Sequence, residues 1–350
     1  MDFKQQEQYK KQLDWLREQS EIEEFEFHKL KENNPKYVKE IREVFEVSGF
    51  HIEHTTFEKP LIRGFERTDE SIAEAIEKRQ ESLELRQELQ EELDAFSAKY
   101  PFVSKDDAVA MAELKAIKEK YKDDLVKRKD SERRTIKRLK TIVQSNFDEW
   151  THLITIEYHY NEMDIEKAKE HFKQWAKDMR KLNPNFIYVY VMEFQERGAI
   201  HFHVICRCVR EDGAWYKNKD FKKILTMWKH GHTDVAAIHQ KNIPKKLRDK
   251  AKAEMKVENE KIIAIWSLGS YLTSYLEKGS DNMLLFGNRM FGYSRGLKDS
   301  IRITDPKKIA HLRKYFRLDE LKENSYKIDL ERAENKVFKQ FYNKLIKKYD

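Results

Sequence analysis

Residues 186–209 read FIYVYVMEF, then QERGA, then IHFHVICRCV, and they carry the clearest signal of secondary structure in the chain. Both ends are rich in β-branched and aromatic residues, which favour strands, and the glycine between them favours a tight turn. We therefore predict a β-hairpin with strands at 186–194 and 200–209. Successive side chains of a strand point to opposite faces, so His201 and His203 share one face while Phe202 points into the core.

The two imidazoles can provide neighbouring ligands to one divalent cation if an adjacent strand supplies an oxygen donor. The length of the turn decides which residue that is. With a three-residue turn at 196–198, Glu193 lies opposite His201 and Gln195 is on the same face. With a two-residue turn, Glu196 shares the face instead. We favour Glu193, because its two neighbours along the strand then join the apolar face.

The residues before this hairpin predict a strand and a helix. Residues 152–158 (HLITIEY) are another β-branched and aromatic run, typical of a strand. Asn161, with Asp164 three residues later, is predicted to cap a helix that is stopped by residues 183–185 (NPN). An apolar stripe marks its inner face: Ile165, Phe172, Trp175, Met179 and Leu182. The order strand, helix, strand, turn, strand indicates an α+β domain.

The chain before this domain is predicted to be helical. Eight of the ten glycines fall between residues 198 and 296, so the earlier part has few breakers. Thr68 caps a long helix that ends before Pro101, and Ser104 with Asp107 begins a second, highly charged helix running towards Leu139. These helices form either a coiled-coil arm for self-association or a packed helical domain without a partner surface.

Three regions follow from these patterns. We expect a helical, highly charged N-terminal region at 1–132, an α+β domain at 133–303 and a charged helical tail at 304–350.

Charged residues make up 37% of the chain and the net charge is +7, which fits a polyanionic partner. No apolar run is long enough to span a bilayer and only two cysteines occur, so we expect a protein of the reducing cytoplasm with no membrane partner.

Two tyrosines stand out in the segment SYLTSYLEK at 270–278. Tyr271 and Tyr275 are four residues apart and share one face of a helix, and Lys278 lies close to Tyr275. Such tyrosines are ordinarily packing residues. A nearby lysine and a cation-bound phosphate are what a phenol with a pKa near 10 needs to act as a nucleophile at neutral pH.

Together these motifs resemble the HUH endonucleases. The match is to rolling-circle replication initiators of bacterial plasmids, integrative elements and phages, the replication-associated type related to the filamentous-phage gene II protein. The matching segments occur in this order within 133–303: LITIEY, MEFQERGAIHFHV, MWKHG, YLTSYLEK and FGYSRGL.

The resemblance implies a ferredoxin-like antiparallel sheet that carries a metal site. His201 and His203 would bind Mg²⁺ or Mn²⁺, with Glu193 or Gln195 as the third ligand. Tyr275 would cut one DNA strand, leaving a 5′-phosphotyrosyl bond and a free 3′-hydroxyl, and the bond would later be used to rejoin the strand. The expected partners are an origin in single-stranded or hairpin DNA and a host helicase and polymerase, since the sequence has no Walker A pattern.

The tyrosine segment departs from the family pattern at one position. Initiators of this type often have the pattern Tyr-x-x-Lys-Tyr-x-x-Lys, with a lysine three residues after each tyrosine. Here the position three residues after Tyr271 is Ser274. Only Tyr275 keeps its lysine, at Lys278. We therefore nominate Tyr275 as the nucleophile, with Tyr271 as a second nucleophile or a packing residue.

Further basic residues are candidates for contacts with DNA phosphates. They are Arg134 and Arg138 in the basic stretch at 127–140, and Arg289, Arg295 and Lys298 near the last glycines. The pair His230 and His232 imitates the other histidine pair, but the glycine between them predicts a turn and a structural role.

Two other functions share these features. A relaxase or single-tyrosine transposase has the same chemistry and recognises different DNA. A non-catalytic DNA-binding protein or helical scaffold would account for the long charged region before residue 133 and for Ser274.

Overall fold

The computed structural model describes residues 3–121, 129–147, 151–207, 218–237, 249, 271–274, 289–330 and 335–347. Their contacts define two compact units, one with residues 3–72 and 298–347 and the other with residues 73–237 and 271–297, within those ranges. The helices are α1 (Phe3–Asn33), α2 (Asp69–Lys99), α3 (Ala108–Lys120), α4 (Lys129–Asn146), α5 (Ile165–Leu182), α6 (Asn218–Met227) and α7 (Pro306–Tyr315). The strands are β1 (Lys39–Ser48), β2 (His51–Arg63), β3 (Thr151–Tyr158), β4 (Tyr188–Phe194), β5 (Ile200–Arg207), β6 (Gly231–Ala237), β7 (Phe291–Tyr293), β8 (Ile301–Ile303), β9 (Leu321–Leu330) and β10 (Asn335–Lys347).

The first unit is built on an antiparallel sheet with the strand order β8-β1-β2-β10-β9. A two-residue turn joins β1 to β2, and Gly49 in it has φ of 57°, which an L side chain adopts at a cost. Phe45 and Ile52 from the sheet are buried in one cluster with Leu16 of α1 and Ile309 of α7. Apolar burial between these helices and the sheet holds the unit together.

The second unit contains an antiparallel sheet with the order β6-β3-β5-β4-β7. The chain runs β3-α5-β4-β5-α6-β6, and β3 and β5 lie in the middle of the sheet. This chain order and strand order are those of a ferredoxin-like domain. The predicted α+β class and the ferredoxin-like sheet are confirmed, as are helices before this domain and a helix after it.

One face of this sheet packs against α5. Phe172 of α5 lies 4.9 Å, centroid to centroid, from Phe202 of β5, and both rings are almost fully buried. Cys206 is buried as well, and Cys208 lies outside the described residues. The cap of α5 differs from the prediction. Asp164, not Asn161, is the N-cap, and its carboxylate accepts from the backbone N–H groups of Glu166 and Lys167.

The helical prediction for the flanking regions was wrong in two places. Residues 39–63 form the hairpin β1–β2, and residues 321–347 contain β9 and β10, where charged helix was expected. The helix at 69–99 is confirmed, and the backbone N–H of Ser71 donates to the hydroxyl of Thr68 at 3.3 Å.

The second predicted helix is shorter than expected. Its N-cap is Asp107, whose carboxylate accepts from the N–H of Ala110, and the helix ends at Lys120 with Tyr121 as the C-cap. Residues 129–146 form a separate helix. No helix in the described part of the chain has both the length and the apolar content needed to cross a bilayer.

Candidate metal centre

The hairpin β4–β5 has the register of the three-residue turn. Glu193 pairs with His201, and Gln195 and Ala199 close the turn through a backbone hydrogen bond of 2.8 Å. Gly198 has φ of 97°, in the left-handed region that favours glycine. The predicted hairpin and its preferred register are confirmed, and the alternative register with Glu196 is excluded.

Three side chains meet on the face of the sheet opposite α5. Glu193, His201 and His203 each offer a ligand atom, and these atoms all lie within 4.8 Å of one another. His203 Nε2 is 2.9 Å from Glu193 Oε2, and the ring centroids of the two histidines are 4.4 Å apart. The side chains of His201 and His203 are only 12% and 8% exposed.

The electrostatics of this cluster fit a cation site. Burial, with smaller contributions from the neighbouring His203 and Arg197, lowers the pKa of His201 to about 3. His201 therefore stays neutral, as a metal ligand must be. Its Nε2 is buried and makes no hydrogen bond within the described part of the chain. Two imidazoles and one carboxylate with a buried, unsatisfied nitrogen form a donor set suited to a divalent cation.

Glu157 lies beside the cluster, and the sequence did not identify it. It pairs with His201 from β3, on the side opposite Glu193, and its Oε1 is 3.3 Å from His201 Nε2. On β6, His232 pairs with Glu157, and Asp234 lies two residues further along the same face. The sequence did contain one indication of a role for Glu157, because it is the only acidic residue in the predicted strand HLITIEY.

Gln195, the alternative third ligand, has another partner. Its side-chain oxygen accepts from Arg197 Nε at 3.0 Å, and Arg197 Nη2 donates to the backbone carbonyl of Tyr158 at 2.6 Å. This arrangement favours Glu193 as the ligand from β4.

The glycine of the second histidine pair is not in a turn. Gly231 begins β6, where it pairs with Tyr158, and a Cβ added to it would lie 2.0 Å from the carbonyl oxygen of Glu157. His230 has a structural role, as predicted, because its ring stacks on His171 at 3.7 Å. His232 is exposed, and it lies on the face of the sheet that carries Glu193, His201 and His203.

The tyrosine segment is described only at residues 271–274, which are helical. Tyr271 is half-buried and packs against the core of the second unit, and Leu272 is fully buried. The hydroxyl of Ser274 donates to the carbonyl of Tyr271 at 2.7 Å. Tyr275 and Lys278 lie outside the described residues.

Four of the predicted DNA-contacting residues are exposed in the second unit: Arg134, Arg138, Arg289 and Arg295. Arg138 of α4 donates from Nη2 to the hydroxyl of Tyr293 on the edge strand β7, at 3.0 Å. Lys298 belongs to the first unit, where its Nζ is 3.8 Å from Asp14 Oδ1.

One family model matches the central part of the chain. Residues 151–280 match the family of replication-associated proteins of the ORF2 and gene II protein type, which confirms the resemblance to initiators of the gene II type. This stretch contains the Glu193, His201 and His203 cluster and the tyrosine segment. Curated proteins and solved structures gave no match to the chain.

Proposed function

We propose that this protein nicks one DNA strand at a replication origin and later rejoins it, as an initiator of rolling-circle replication. The observation that supports the proposal is the cluster of Glu193, His201 and His203 on the central strand of the sheet and its neighbour. It lies within the part of the chain that matches the replication-associated family.

The proposed reaction is a transesterification at phosphorus. The phenolic oxygen of Tyr275 attacks the scissile phosphate and loses its proton. A bond from tyrosine to phosphorus forms, the bond to the 3′-oxygen breaks, and that oxygen takes up a proton. The 3′-hydroxyl is then available to a polymerase, and its attack on the phosphotyrosyl bond reverses the reaction and rejoins the strand.

Glu193, His201 and His203 would hold Mg²⁺ or Mn²⁺ in this function. When bound, the cation supplies Lewis-acid polarisation of a phosphate oxygen. The side chains contribute their spacing: hydrogen bonds to β3 and β4 hold β5 from both sides, so the two imidazoles lie on one face whether or not a ligand is present. Lys278 would stabilise the phenolate of Tyr275.

The test is a covalent adduct. The protein is incubated with single-stranded and hairpin oligonucleotides from its replicon and with Mn²⁺, and the products are separated in SDS. We expect an adduct that resists SDS, that forms without ATP and that is absent with EDTA. No adduct with any origin-derived DNA, despite measured Mn²⁺ binding, would favour a non-catalytic DNA-binding protein. Sequencing the cut site separates an origin nickase from a relaxase or transposase.

A further inference from the structure

Four polar side chains form one row across the sheet of the second unit. The strand pairings place Glu193, His201, Glu157 and His232 side by side, from β4 across β5 and β3 to β6. Directly paired residues of a sheet point to the same face. Glu157 is therefore on the face of the metal cluster, and it approaches His201 from the side that Glu193 leaves open.

We propose that Glu157 is a fourth protein ligand of the cation, in addition to the two histidines and Glu193. This inference rests on the proposed metal-dependent function of the site. Its main support is that Glu157 Oε1 lies 3.3 Å from His201 Nε2, much as Glu193 Oε2 lies 2.9 Å from His203 Nε2. In an octahedral site with bonds of about 2.1 Å, neighbouring ligand atoms are about 3 Å apart.

The contact between Glu157 and His201 does not have the geometry of a hydrogen bond. His201 Nε2 is buried and has no hydrogen-bond partner among the described residues, although the carboxylate is close. A buried ring nitrogen without a hydrogen bond is costly. A cation bound at this nitrogen would satisfy it, and the carboxylate of Glu157 lies beside the same nitrogen.

The backbone around Glu157 is fixed, while its carboxylate remains adjustable. The indole Nε1 of Trp228 donates to the carbonyl of Glu157 at 3.0 Å, and β5 and β6 pair with the residue from both sides. The side chain itself is 39% exposed. The carboxylate is not within 4.8 Å of all three ligand atoms of the cluster, so ligation requires a change of its rotamer, which leaves the sheet in place.

A fourth ligand changes the chemistry of the site. Two carboxylates neutralise a divalent cation, whereas Glu193 alone leaves one positive charge. Two imidazoles and two carboxylates also replace several waters, which Mg²⁺ gives up reluctantly. Imidazole nitrogen binds Mn²⁺ more strongly than it binds Mg²⁺, which prefers oxygen ligands. The row thus predicts a site that prefers Mn²⁺ to Mg²⁺.

The experiment measures Mn²⁺ affinity by calorimetry and counts the waters on bound Mn²⁺ by pulsed EPR in isotopically labelled water. It compares the full-length wild type with Glu157→Gln, Glu157→Ala and the control Asp234→Asn. Asp234→Asn removes one negative charge from β6, on the face of the sheet that also carries Glu157. We expect at least a tenfold loss of affinity in both Glu157 variants and one additional water in Glu157→Ala. Asp234→Asn should change the affinity less than twofold.

Two outcomes would overturn the inference. An unchanged water count in Glu157→Ala shows that Glu157 only orients His201. An affinity of Glu157→Gln equal to that of the wild type shows the same, because glutamine keeps an oxygen that can accept a hydrogen bond from the imidazole. In either case the three-ligand site and the nicking function stand. If the wild type binds no Mn²⁺, both the inference and the metal-dependent function fail.

Discussion

The Oε2 atom of Glu193 lies 2.9 Å from Nε2 of His203, and the strands that carry them are neighbours in the sheet. Loss of either group should remove most of the proposed cation affinity, because each offers one of the three ligand atoms. We expect Mn²⁺ at one hundred times its dissociation constant to stabilise the wild type by about 2.7 kcal/mol. The shift in unfolding temperature should be absent in His203→Ala and strongly reduced in Glu193→Gln. Glu196→Gln, which changes an exposed carboxylate in the adjoining turn, should keep the wild-type shift.

The identity of the nucleophile can be read from the adducted peptide. We expect mass spectrometry to find the nucleotide on Tyr275, and Tyr275→Phe to abolish the adduct. Tyr271 packs on the core, so Tyr271→Phe should retain at least half of the adduct in a single turnover. Loss of adduct only in Tyr271→Phe, with an intact fold, would reverse the assignment. Loss of rejoining alone in that variant would make Tyr271 the second nucleophile.

Acid should weaken the fold through His201. Burial lowers its pKa to about 3, whereas histidine in an unfolded chain has a pKa near 6.5. Between these values the unfolded chain binds a proton that the folded chain does not, so the free energy of unfolding falls as the pH falls. The contribution of His201 is about 1.4 kcal/mol per pH unit within this range. We expect urea denaturation of His201→Gln in EDTA to depend less on pH between 6 and about 4 than that of the wild type. Identical slopes contradict the prediction.

Two glycines provide a matched test of close backbone approach. A Cβ at Gly231 would collide with the carbonyl of Glu157, whereas nothing lies within 4 Å of a Cβ at Gly296, which has φ of 84°. Gly296→Ala should destabilise the protein by about 1 kcal/mol, the result of backbone strain alone. Gly231→Ala should cost about 3 kcal/mol or more, because β6 must move away from β3. Calorimetric unfolding of both variants is the measurement, and equal losses would rule out the close approach.

Arg138 should contribute to DNA affinity through a phosphate. It is exposed on α4, and its contact with Tyr293 holds it beside the edge strand β7. We expect Arg138→Gln to weaken binding of single-stranded DNA similarly for all sequences, and to reduce the slope of log affinity against log salt by about 1. Arg180→Gln is the control. Arg180 is an exposed cation on α5, and this helix packs against the face of the sheet opposite the Glu193, His201 and His203 cluster. Equal effects of the two substitutions would mean that only the overall charge matters.

The hairpin that carries Glu193, His201 and His203 could be predicted from the sequence because its signals are local. Alternation fixes the face shared by His201 and His203, and Gly198 fixes the turn that sets Glu193 opposite His201. Glu157 could not be found in this way. Its role depends on β3 pairing with β5, which joins residues more than forty positions apart in the chain.

The missed strands have a different cause. β9 is an edge strand, and its residues 323–327 are all exposed, so it lacks the apolar alternation of a strand with one buried face. The segment reads as a charged helix for that reason. β1 and β2 contain many charged residues as well, and the informative residue was Gly49, which marks their two-residue turn.

Glu193 and His201 are directly opposite each other across a turn of fixed length. The number of residues in that turn can therefore change only in ways that keep this pairing. A single inserted residue that shifts the pairing by one position would send the carboxylate and the imidazoles to opposite sides of the sheet. An insertion of two residues can lengthen the loop without reversing either strand. Protein engineers who wish to graft a new specificity loop onto this scaffold should therefore add residues in pairs.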